Sequence, residues 1–271
     1  MPMKRIILLL AAYCCICPTL LPAQETVSVP LIPEKMAPVM DGVLSEDKGE
    51  WKYASVISGF NYFNPNPQLI GDRTGEVYLS ADSKNIYIAI KTSANNNDPG
   101  GGLSTLAKQR DGEVYNDDSV ELTFATAPDA ETGYHIIVNR DGVVFDRTCH
   151  YKTGNFDVAW NCPGLKIGSL ARGGFWVIEL TIPRSSIGNP KDTLFFNIAR
   201  NWKDIGASAL HPTRNHLSRS AMIRMNLSEK APAIRFPNPG LIASGKWTPE
   251  VSMTALNGTP KVYADMMLRK H

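Results

Sequence analysis

Short runs of strictly alternating apolar and polar residues, cut by Gly, Asp, Asn and Pro, constrain this chain more than any other feature. A strand points successive side chains to opposite faces, so a period of two marks a sheet buried on one side. Across 119–125, Val120, Leu122 and Phe124 fall on one face, and Ser119, Glu121 and Thr123 fall on the other. Three hairpins follow from the same pattern: 76–80 with 86–92, 134–139 with 143–146, and 165–170 with 175–182. Asp141-Gly142 supplies the second hairpin with the turn residues a tight reversal needs. A further strand is expected over 194–200, and Pro183 ends its predecessor because proline cannot donate to a ladder. Helical periodicity is confined to one turn, Arg184-Ser185-Ser186-Ile187. Strands this short, with turn signals roughly every 8–12 residues, specify an all-β fold, an antiparallel β-sandwich of the jelly-roll kind.

Two long segments, 60–73 and 93–111, read as loops, and loops of that length on a rigid scaffold often carry function. The expected organisation is a signal peptide over 1–23, a sandwich domain over 24–245 and a C-terminal extension over 246–271. In the extension, 251–253 and 262–268 look like strands without obvious partners, which either complete the sandwich or, as is favoured here, begin an incomplete second domain. A pair of strands is not stable by itself.

Lys4 and Arg5, an apolar run from Ile6 to Leu21, and Leu21-Pro22-Ala23 before Gln24 form the signal-peptide pattern. The run is short for a membrane span, and Pro18 and Pro22 interrupt it. The expectation is therefore a chain that is secreted, periplasmic or held at the cell surface, without stable membrane insertion. Lys and Arg total 28 and Asp and Glu 26. Removal of Lys4 and Arg5 brings the two into balance, which argues against nucleic acid as the main partner. Cys149 and Cys162 are the cysteines outside the leader. They can pair as a disulfide in an oxidising compartment if their Cα separation permits, and two cysteines alone cannot build a four-ligand zinc site.

Five blocks carry a resemblance. They are Asp41-Gly42-Val43-Leu44 with Trp51; Val114-Tyr115-Asn116-Asp117-Asp118-Ser119-Val120-Glu121; the 134–146 hairpin; Gly174 to Pro183; and Phe196 to Arg200. In order and spacing, from about residue 41 to 236, the chain resembles the family 9 carbohydrate-binding modules. The resemblance implies a jelly-roll sandwich and non-catalytic binding of sugars, often at chain ends. It also implies structural calcium in some members and frequent attachment to secreted glycoside hydrolases.

Sugars are gripped by flat aromatic faces against C–H surfaces and by planar polar groups against hydroxyls. In the resembled family two rings sandwich the terminal sugar, which here points to Tyr115 and Trp202, both flanked by polar residues and expected at the surface. The candidate polar set is Asp117, Asp118, Glu121, Arg140, Arg200 and Asn201. Asp117 and Asp118 can instead close a turn or ligate calcium, although no dedicated calcium loop is present. Arg140 and Arg200 offer fixed forks for vicinal hydroxyls or a carboxylate, with an ordinary salt bridge as the alternative. Glu121, Glu179 and Asn197 share the polar parity of their strands and are expected to line one hydrated or sugar-binding face. Trp176 and Trp51 read as packing residues, and Trp160 fits either a loop or the core.

Three rival functions stay open. A glycosidase needs two carboxylates about 5–10 Å apart, and no spacing nominates a pair. A haem-binding sandwich needs axial ligands such as His135, His150 or a methionine, without a Cys-x-x-Cys-His attachment. A purely structural module needs no site. His211 and His216 match no metal motif.

Overall fold

The computed structural model describes residues 25–45, 49–63, 67–68, 73–94, 102–203, 206–213, 215, 217–238, 242–243, 246–247 and 250–256. The expected leader and the 262–268 stretch lie outside these residues, as does His216.

In chain order the strands are β1 (Thr26–Pro30), β2 (Ser55–Ser58), β3 (Asn61–Phe63), β4 (Pro67–Gln68), β5 (Gly75–Ala81) and β6 (Asn85–Ser93). Next come β7 (Ser119–Ala125), β8 (Thr132–Asn139), β9 (Val144–His150), β10 (Asn155–Asp157), β11 (Lys166–Arg172), β12 (Phe175–Pro183) and β13 (Thr193–Trp202). The last are β14 (Gly206–Ala209), β15 (Ile223–Ser228), β16 (Ala233–Asn238), β17 (Ile242–Ala243), β18 (Lys246–Trp247) and β19 (Glu250–Thr254).

Two sheets form the sandwich. The larger runs β10-β9-β8-β7-β13-β14-β3-β4, with β15 also paired to β13 and β1 laid parallel on β15. The smaller runs β11-β12-β6-β5-β2. The expected hairpins form with ends shifted by a few residues, and Arg184–Ile187 is a single 3-10 turn. The 60–73 segment contributes two short edge strands rather than a plain loop.

Alternation decides what is inside. Val120, Leu122 and Phe124 of β7, Ile136 and Val138 of β8, and Phe196 and Ile198 of β13 face Ile86, Ile88 and Ile90 of β6 and Trp176, Ile178 and Leu180 of β12, all fully buried. Each such side chain contributes roughly 1.5–3 kcal/mol when removed from water.

A second hydrophobic layer covers the outside of the small sheet. Trp51 is buried there with Tyr78, Tyr87 and Ala89. Glu179 ties it down: its carboxylate accepts from Trp51 Nε1 (2.7 Å), Gly42 N (2.7 Å) and Asp41 N (3.0 Å). Gly42 is needed at this turn, because its φ is +79° and a Cβ would sit 2.7 Å from the Leu170 backbone. The sequence blocks at 41–44, 51 and 174–183 therefore converge on one buried carboxylate, whose pKa burial raises.

The strand expected over 251–253 does have a partner. As β19 it pairs antiparallel with β16, Ile234 opposite Met253, and Leu256 packs on the Trp51 layer. Arg235 of β16 donates to the Trp51 and Ala54 carbonyls, so this separate two-stranded sheet packs against the sandwich.

Candidate functional site

The candidate residues separate into three groups. Four of them are interior. Trp202 is only 5% exposed, with Nε1 donating to Ser208 Oγ (2.8 Å) and its ring between the guanidinium groups of Arg200 (4.2 Å) and Arg73 (4.9 Å). The expectation of a surface ring fails because β13 runs on to residue 202, which turns Trp202 to the same inner side as Arg200. Arg200 is fully buried between Trp176 (5.0 Å) and Trp202, and its Nη2 donates to Asp118 Oδ1 (3.0 Å). That is the ordinary salt bridge, not a ligand fork. Asp118 Oδ2 accepts from Ser104 N (2.8 Å). Asp117 accepts from Leu106 N, Ala107 N and Asn139 Nδ2 (2.7, 3.1 and 2.9 Å). Both aspartates fasten the 104–107 loop, and their oxygens face N–H donors, a donor set that does not fit a cation. Asp41, Glu50 and Glu179 also bring carboxylate oxygens within 4.8 Å of one another, but N–H groups hold an oxygen of each, and we assign no cation there.

Arg140 lies at the tip of the β8–β9 hairpin, paired with the adjacent Asp141 (2.8 Å), while its carbonyl accepts from Ser169 Oγ on the small sheet. Tyr115, Glu121 and Asn201 do share the outer side of the large sheet. Tyr115 is 48% exposed and meets Phe145 edge-on at 5.6 Å. Asn201 Nδ2 donates to Ser119 Oγ (3.0 Å). Glu179 belongs to the other sheet, so the expected single face of Glu121, Asn197 and Glu179 does not exist.

Cys149 and Cys162 are both free. Cys162 packs in the core between the sheets, while Cys149 shares the outward parity of Phe145 and Arg147 on β9. A sheet separates the two thiols, so the disulfide left open by the sequence does not form in this arrangement.

The cleft that results lies on the outer face of the large sheet and holds about 870 Å³. Its floor follows directly from register. Asn197, Thr123, His135 and Arg147 are successive neighbours across β13, β7, β8 and β9. Ala199, Glu121, Ile137 and Phe145 form the next row, and Cys149 faces Phe156 of β10. Gly133 leaves room for the Tyr151 ring, since a Cβ there would stand 2.3 Å from the Tyr151 hydroxyl. His211, Asn215 and residues 217–222 form the far wall, anchored where the Asn197 amide donates to the His211 carbonyl (3.1 Å) and accepts from its N–H (3.2 Å).

A polar relay crosses this floor. Arg147 Nε donates to His135 Nδ1 (3.1 Å), which places the ring proton on Nε2, and that nitrogen lies 3.8 Å from Glu121 Oε1. The Arg147 guanidinium stacks on Phe156 at 3.9 Å, and Phe156 is 52% exposed. Burial lowers the Arg147 pKa even though Glu121 is nearby to oppose the shift. Burial pushes Tyr151 up to about 12 and raises Cys149.

None of the sugar-site candidates named from sequence lines this cleft; Tyr115 and Glu121 share its side of the large sheet, whereas Arg147, Phe156 and Tyr151, which do line it, were missed, and His135 was read only as a haem ligand. Parity on β9 is the signal that points to Arg147, because it sits two residues from Phe145 and opposite His135. No local signal marks Phe156, whose short strand exists only by pairing with β9.

No protein-family model matches the chain, and no curated protein matches it by sequence. The class is set by fold: an all-β sandwich shared with solved carbohydrate-binding modules. Two structures of a family 9 carbohydrate-binding module from Caldicellulosiruptor kristjanssonii, in complex with glucose and with cellotriose, superpose with TM-scores of 0.53 and 0.54 at 15% identity. They span 75% of this chain and 96% and 93% of the modules. A Bacteroides uniformis ATCC 8492 protein with a proposed carbohydrate-binding role superposes at 0.59, with 13% identity over 76% of this chain and 100% of its own.

Proposed function

We propose that the protein is a secreted, non-catalytic carbohydrate-binding module that holds sugar in the outer-face cleft and serves a polysaccharide-degrading system, alongside a glycoside hydrolase. The observation that carries the reading is the convergence of the exposed Phe156 ring with Arg147 and His135 on one concave floor, with the buried Glu121 beside His135. An aromatic face beside planar polar groups is what a pyranose ring requires, since one side of it is C–H and its rim is hydroxyl. The fold shared with glucose- and cellotriose-bound modules supports the same reading. The Lys4-Arg5 start and the apolar run behind it support export.

Isothermal titration of the mature protein against a panel of mono-, di- and polysaccharides tests the reading. Phe156→Ala is expected to weaken binding by about 1–3 kcal/mol, as for an aromatic anchor. Heat with no glycan in the panel refutes sugar binding, and release of reducing sugar refutes the non-catalytic assignment.

A further inference from the structure

The charged groups around the cleft are not evenly matched. Arg147 uses Nε on His135 and its flat face on Phe156, and among the described residues its two Nη groups have no oxygen acceptor. Glu121, the carboxylate closest to this relay, lies within 4.0 Å of His135 but not of Arg147. On the far wall Arg219 covers Tyr151 at 4.9 Å and donates to the Ala130 carbonyl, again without a carboxylate within 4.0 Å among the described residues. The acid at that wall, Glu25, stands 3.3 Å from His211. Two guanidinium groups therefore face one hollow without a carboxylate in ion-pair contact among the described residues, although Glu121 is near enough to act on Arg147. A half-buried cation without an adjacent anion is under-compensated, and a planar carboxylate fits the paired N–H edge of a guanidinium better than two separate hydroxyls do.

Building on the sugar-binding reading, we infer that the cleft takes an acidic glycan, one carrying uronic acid units, with a sugar carboxylate docked on the Arg147 Nη pair and Arg219 drawing the chain toward the far wall. His135 is a positioning residue in this arrangement: by accepting from Nε it turns the Nη edge outward, while Phe156 keeps the guanidinium plane fixed. Ring and carboxylate are then held together, the pyranose against an aromatic side chain and its anionic substituent against the fork.

The test is titration of the mature protein at low and moderate ionic strength with trigalacturonic acid and with cellotriose. The acidic trisaccharide is expected to bind at least about tenfold more tightly, the range of one charge-assisted pair, and the margin is expected to shrink with added salt. Arg147→Gln should bring the ratio of the two affinities close to one, and Arg219→Gln should reduce it partway, with circular dichroism confirming that both variants fold. Equal or tighter binding of cellotriose by the wild type overturns the acidic assignment and leaves sugar binding standing. A ratio unchanged in folded Arg147→Gln overturns the docking role of that residue. Failure of every glycan to bind overturns both readings together.

Discussion

Replacing Trp202 by alanine separates a core ring from a ligand ring. The indole is sealed between Arg200 and Arg73 and donates to Ser208, and it flanks a buried Arg200–Asp118 pair. Removing a buried tryptophan costs about 3–5 kcal/mol through lost transfer energy and the cavity left behind. Loss of the hydrogen bond to Ser208 lies within that range. Against a total stability of about 5–15 kcal/mol this is a large fraction. With a urea slope of about 2–3 kcal/mol per molar, the unfolding midpoint should fall by about 1–2.5 M. Phe156→Ala is the counterpart. That ring is half exposed and lies outside the buried clusters, so the midpoint should move by no more than about 0.2 M while sugar affinity drops. Urea titrations followed by tryptophan fluorescence, run beside calorimetric binding, give both numbers for each variant. A Trp202→Ala protein as stable as the parent yet unable to bind sugar would refute the reasoning, for it would put the ligand against the ring described here as interior.

Other outcomes follow from particular contacts. Glu179→Gln leaves one acceptor oxygen where two now serve three N–H groups and turns an amide N–H₂ toward a donor; about 2–3 kcal/mol should be lost, lowering the melting temperature by roughly 5–10 °C. Thiol titration of the denatured, unreduced mature protein should find two free thiols, and a mass two daltons lower with none would show that Cys149 and Cys162 are bonded after all. Burial pushes the Cys162 thiol up to about 11 from an ordinary value near 9, so the folded state prefers the neutral form. The stability it contributes is fully present below about pH 9 and is lost as the pH rises through about 11; a urea midpoint that does not fall between pH 8.5 and 11 contradicts this.

The framework was legible because alternation is a local property. Ser119–Ala125 was delimited from sequence alone, and the 134–146 and 165–182 hairpins were out by a few residues at their ends. β1, β2, β14 and β15 were not anticipated. Thr26–Pro30 and Ser55–Ser58 are short, and their strand character comes from pairing with β15 and β5, a tertiary fact. The site was less legible for a related reason. Polar neighbours made Trp202 look exposed, yet burial is set by which side of β13 a residue faces and by what crosses above it. Asp117 and Asp118 stand in the motif that carries the resemblance, but what they hold is the backbone of a loop ten or more residues upstream. Arg147 and Phe156 become partners only when β10 folds back on β9.

On β9, Asp146 points inward to hold Arg110 and the Cys162 backbone, while its neighbour Arg147 points outward to His135. A one-residue slip of this strand against β8 would exchange the two, putting a guanidinium into the core and stranding an acid in the hollow. Substitution at the outward positions of β9 can therefore alter the hollow while the inward positions keep the core, whereas a change of length inside the strand alters both at once.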